Sequence, residues 1–75
     1  MNHNKLKGAI IAAGYSQRKL AETMPMTLNT LNAKVNGKSP ITIEEAIMLG
    51  KKLNLNDEQF EEIFLREPSR NETDL

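Results

Sequence analysis

Residues 16–38, SQRKLAETMPMTLNTLNAKVNGK, read as two short helices joined by a tight turn. Ser16 is a strong N-cap, and the segment after it sets Leu20, Ala21 and Met24 on one side. Met24-Pro25 ends that helix, because the proline ring pushes the preceding residue out of helical geometry. Thr27 then caps a second helix in which Leu28, Leu31 and Val35 recur at helical spacing. Asn29, Thr30, Asn32 and Lys34 give its remaining faces amides, a hydroxyl and a charge. A helix that is half apolar and half amide suits a DNA major groove, where asparagine pairs bidentately with adenine.

Counting from Gln17, Leu20 and Met24 face inward, Ala21 is small enough for two helices to cross closely, and Leu31 can reach the first helix. At these positions the segment resembles the lambda-repressor-like helix-turn-helix family of phage Cro and repressor proteins, XRE-like in type. The family's motif runs roughly Gln, two variable residues, Leu-Ala, a turn, Ser or Thr, and a second helix ending near Asn-Gly. The matching residues are Gln17, Leu20-Ala21, Thr27, Leu31 and Asn36-Gly37-Lys38, and the resemblance spans residues 5–66. It departs from the family's pattern at two places. Pro25 stands where family turns commonly carry a glycine of positive φ, so the turn is expected to have a different backbone. Lys34 stands where many relatives are apolar, so Val35 is expected to take the core position.

Three further helices are legible around this pair. The first starts at Asn4 or just before it, carries Leu6, Ala9, Ile10 and Ala13 on one stripe, and meets Gly14 where a C-terminal cap belongs. The fourth opens on a capping box of Thr42 and Glu45, with Ile43, Ala46, Ile47 and Gly50 as its apolar stripe and Leu53 extending it. The fifth opens on Asn56 and Gln59, sets Phe60, Ile63 and Phe64 on one face, and ends before Pro68. No alternating strand pattern occurs. The expectation is an all-α fold of five short helices forming one domain over residues 1–67, followed by a polar, disordered tail at 68–75.

Composition narrows the function classes. Seventy-five residues without cysteine exclude disulfides and thiolate metal sites, and the longest apolar run, Ala9 to Ala13, falls far short of the roughly 20 residues that cross a bilayer. A soluble protein of the cytoplasm, with no membrane partner, is expected. The formal net charge is zero, yet residues 1–38 carry six bases against Glu22 alone, a net of +5, and the rest carries −5. Such polarity lets one face be basic and directs the acids away from phosphate. Gly37-Lys38-Ser39 resembles the end of a phosphate loop, but Asn32 stands where that loop needs glycine. His3 has no partners for catalysis or for a metal, so neither an enzyme, a metal nor a cofactor is expected.

Two functions follow as expectations. In the first, the chain is a small phage-type or bacterial transcriptional regulator of operator DNA, alone or as a homodimer. Its recognition helix, Leu28 to Asn36, reads base edges with Asn29 and Asn32, while Leu28 and Thr30 can touch thymine methyls. Gln17, Arg18, Thr27, Lys34, Asn36 and Lys38 complete the DNA set as phosphate contacts, Gln17 and the Lys-x-Asn-Gly-Lys loop by family resemblance. Each also has an ordinary reading as a solvated surface residue or a cap. In the second, the same fold is an interaction module that binds and modulates a partner repressor, with Asp57, Glu58, Phe60, Glu61 and Glu62 forming an acidic rim around an apolar centre.

Overall fold

The computed structural model describes residues 1–66; the expected polar tail at 68–75 lies outside the described residues. The elements are α1 (His3–Ala12), α2 (Gln17–Thr23), α3 (Leu28–Val35), α4 (Ile43–Lys52) and α5 (Asp57–Phe60). The fifth helix runs on from α5 as a wider π-helical turn over Glu61–Leu65, closed by the Arg66 N–H bonding to Glu61 O at 3.0 Å. The fold is all-helical, with five helices and no strand among the described residues. None of these helices is long and apolar enough to cross a membrane.

Every helix starts on a side-chain cap. Asn2, Ser16, Thr27, Thr42 and Asn56 each accept the backbone N–H three residues on, and the last two do so within complete capping boxes. The cap of α1 is thus Asn2, just ahead of the expected start at Asn4, and its own N–H bonds to Ile63 O at 2.7 Å. That bond ties the chain's beginning to helix five. Lys5 adds a 3.2 Å ion pair with Glu62. At the other end of α1, Gly14 takes φ +85°, and the Tyr15 N–H returns to Ile10 O at 3.1 Å, which is the expected left-handed C-terminal cap.

The turn between α2 and α3 has the altered backbone that Pro25 implies. No residue in it has positive φ; instead the Met26 N–H bonds to Met24 O at 2.6 Å, closing a tight three-residue turn around the proline. Thr23 eases the helix end by donating its hydroxyl to Leu20 O at 2.8 Å. Met24 is buried at the C-cap of α2, so the turn also contributes to the core.

Leu6, Ile10, Leu20, Ala21, Met24, Leu31, Val35, Leu49, Leu53 and Ile63 form one apolar cluster drawn from all five helices, and no polar side chain is buried with them. Val35 is fully buried, while Lys34 beside it is displaced to the rim, as expected. Two stripes differ from the expected ones. Ala13 follows the last turn of α1 and is exposed. In α4 the buried set is Ala46, Leu49, Gly50 and, just past the helix, Leu53, while Ile43 and Ile47 are exposed. Both sets obey helical spacing, so periodicity alone could not choose between them. The α4 axis is rotated so that Leu49 points inward and the two isoleucines point out.

Candidate functional site

The outward side of α3 presents Asn29, Thr30 and Asn32, all exposed, with Leu28 half-buried at its start. The face exists because Leu31 and Val35 hold the opposite side of the helix in the core. Asn29 and Asn32 are separated by about one turn of a 3.6-residue helix, so their amides project from one side. Thr27 caps the helix, and its hydroxyl also donates to Thr30 Oγ1 at 3.0 Å, which fixes both side chains at the N-terminal edge. Arg18 and Lys19 on α2 and Lys38 after α3 are exposed bases nearby in sequence.

Three residues of the expected DNA set have more specific surroundings than the sequence disclosed. Lys34 Nζ donates to Pro40 O at 2.9 Å and pairs with Glu45 Oε1 at 3.0 Å. The same Glu45 oxygen accepts the Thr42 N–H at 3.0 Å, so Lys34 is the link between α3 and the start of α4. The Glu45 carboxyl is held below the ordinary glutamate value, chiefly by that Thr42 N–H and secondarily by Lys34, against the opposing effect of partial burial. Asn36 donates its Nδ2 to Asn32 O at 2.9 Å and to Asn32 Oδ1 at 3.0 Å. Its amide is thus directed back along the helix, steadying Asn32. Gln17, at the first position of α2, is half-buried, with Oε1 shielded from solvent and without a hydrogen-bond partner.

The loop after α3 is fixed from the opposite side. Gly37 takes φ +83°, and the His3 ring lies so close that a Cβ there would come within 3.0 Å of it. The Lys38 N–H returns to Ala33 O at 2.8 Å. The Lys38 side chain therefore leaves from a braced loop.

On helix five, Asp57 and Glu58 are exposed, but two of the acids expected to form a rim are answered within the chain. Glu61 pairs with Arg66 at 3.4 Å, and Glu62 pairs with Lys5 at 3.2 Å and Arg66 at 3.9 Å. Phe60 and Phe64 pack with ring centroids 4.9 Å apart and planes tilted by 44°, and remain half-buried; only Ile63 of the expected stripe is fully in the core. No group of metal-ligating side chains occurs among the described residues. Comparison with known proteins gives no matching family model, no similar curated protein and no similar solved structure, so a functional reading rests on the chain's own residues.

Proposed function

We propose that this chain is a small transcriptional regulator that binds operator DNA through α2 and α3 acting as a helix-turn-helix, with α3 in the major groove. The observation that carries the reading is the outward side of α3: adjacent exposed amides at Asn29 and Asn32, no acid on that helix, and a core-facing side that immobilises them. Asn29 and Asn32 read base edges, and Leu28 and Thr30 contact apolar or methyl groups at the helix start. Arg18, Gln17 through its Nε2, Thr27 and Lys38 position the helix on phosphates. Lys34 and Asn36 join this set by holding the loop and Asn32 in place.

The test is selection of preferred duplexes from a random pool, followed by binding curves against the selected and a scrambled duplex across salt. A sequence preference that survives competitor DNA supports the reading. Absence of duplex binding even at low salt overturns it, because phosphate attraction alone gives a basic face measurable non-specific affinity.

The second reading, a module that binds and modulates a partner repressor, draws on exposed Asp57 and Glu58 beside half-buried Phe60. The internal pairing of Glu61 and Glu62 leaves it less charge to work with. A shift of a repressor's operator complex on addition of this chain, without duplex binding by the chain itself, would favour that role.

A further inference from the structure

Asn36-Gly37 is the only place in the chain where an asparagine precedes a glycine; each of the other asparagines precedes a residue with a side chain. With no Cβ, a glycine meets little steric bar when its nitrogen attacks the amide carbon of the preceding side chain. Both residues are exposed at the end of α3. As folded, however, they are held out of reacting geometry. Asn36 has φ −91° and ψ 3°. A five-membered ring needs the Gly37 nitrogen on the same side of the Asn36 Cα–C bond as Cβ, which at a tetrahedral Cα means turning ψ by roughly 120°. That rotation breaks the Gly37 N–H bond to Lys34 O at 3.2 Å and the Lys38 N–H bond to Ala33 O at 2.8 Å, and lifts Gly37 from the His3 ring. The nitrogen that must depart is also engaged, since Asn36 Nδ2 donates to Asn32 O at 2.9 Å and Oδ1 at 3.0 Å.

We propose that Asn36-Gly37 is a self-modification site whose rate is set by opening of the loop after α3. In the open loop the Gly37 nitrogen bonds to Asn36 Cγ, the Cγ–Nδ2 bond breaks, and ammonia leaves with the proton that Gly37 gives up. Water then opens the succinimide. Cleavage at Cγ leaves aspartate at position 36, and cleavage at the main-chain carbonyl leaves isoaspartate, with an extra methylene in the backbone. Neither step transfers electrons, and water is the only other reactant. The product reverses the local hydrogen bonding, because a carboxylate is acceptor-only and faces the two Asn32 oxygens that the amide served. Modification therefore releases Asn32 and adds a negative charge at the end of α3. On the DNA-binding proposal it would be a slow, irreversible shut-off of the recognition helix; that consequence rests on that reading, whereas the chemistry does not.

The experiment incubates the full chain without DNA in mildly alkaline buffer, folded and in guanidinium chloride. Peptide mapping by mass spectrometry follows the conversion of amide to acid at each asparagine, and enzymatic methylation of isoaspartate supplies an independent count. In denaturant Asn36 should react well ahead of every other asparagine. In the folded chain its rate should fall by about 5–30-fold, as for a reaction that passes through an open state. His3→Ala, which removes the ring packed on Gly37, should raise the folded-state rate several-fold with unchanged far-ultraviolet circular dichroism. Should that variant lose the fold, Asn32→Ala, which removes one acceptor of the Asn36 amide, takes its place with the same expectation. Reaction spread evenly over the asparagines, or none at Asn36 in denaturant, overturns the site. Equal rates folded and unfolded, or a folded variant no faster than wild type, overturn its control by the loop.

Discussion

Lys34 Nζ lies 3.0 Å from the same Glu45 oxygen that caps α4 by accepting the Thr42 N–H, so one carboxylate joins the candidate recognition helix to the next helix. The depressed Glu45 value makes this junction pH-dependent. For a carboxyl whose folded value is lowered, the stabilising contribution is fully present above the unfolded value and fades as pH falls through the folded one. Wild type should therefore exceed Glu45→Gln in stability near neutrality, and the gap should close in acid. Urea unfolding of both proteins from about pH 7 to about pH 3 checks it. A gap that stays constant would mean the charge on Glu45 is immaterial to the junction. A double-mutant cycle of Lys34→Ala with Glu45→Ala should return a coupling of about 1 kcal/mol or less, the range for partly exposed pairs.

The same pair separates two lysines that look alike in the sequence. Lys38 is exposed and has no ion-pair partner among the described residues, whereas the Lys34 charge is already answered. If both meet phosphate, Lys38→Ala should flatten the salt dependence of duplex binding by about one unit. Lys34→Ala should flatten it less, and Glu45→Gln should strengthen non-specific binding by releasing Lys34. Equal slopes for the two lysine variants would show that the Glu45 pair opens on DNA.

Glycines at two sites should respond in opposite directions. Gly8 lies inside α1 with nothing within 4 Å of where a Cβ would stand, so Gly8→Ala should stabilise the fold by about 0.5–1 kcal/mol. Gly37 combines φ +83° with the His3 ring 3.0 Å from its would-be Cβ. Gly37→Ala should cost upwards of about 1 kcal/mol, from left-handed backbone strain together with displacement of His3. Thermal unfolding of the two variants distinguishes them, and a neutral Gly37→Ala would mean that neither the left-handed backbone nor the His3 ring constrains this loop.

The helices were legible because their signals are local. Ser16, Thr27, Thr42 and Asn56 cap within three residues, Pro25 stops α2, and Gly14 closes α1. What the sequence concealed depends on contacts between elements. Ile43 and Leu49 both fit the α4 period, and only the apolar cluster shared with the other helices selects Leu49. Lys34 carries the signature of a phosphate-binding residue, but its partner is eleven residues away on another helix. The π-helical turn of helix five likewise has no composition that announces it. Of the candidate site, the exposed amides were readable from spacing, whereas their supports, Asn36 behind Asn32 and His3 behind Gly37, were not.

The support of Asn32 gives the sharpest test of how α3 would read DNA. The Asn36 Nδ2 donates to both the backbone and the side-chain oxygen of Asn32, using one lone pair of the Oδ1 and leaving the other, with the Nδ2 hydrogens, for a base edge. Asn36 is then a positioning residue. Asn32→Ala should cost about 1–3 kcal/mol at particular base pairs while leaving random duplex largely unaffected. Asn36→Ala should lose preference at those same base pairs, more weakly, with an unchanged salt slope, because no phosphate contact is removed. Asn29→Ala, which has no such neighbour, should affect a different base pair. The measurement is a binding titration against every single-base variant of the preferred duplex at two salt concentrations. A flattened slope for Asn36→Ala would return it to the phosphate set. Loss at different base pairs from Asn32→Ala would show that the two amides act independently on DNA.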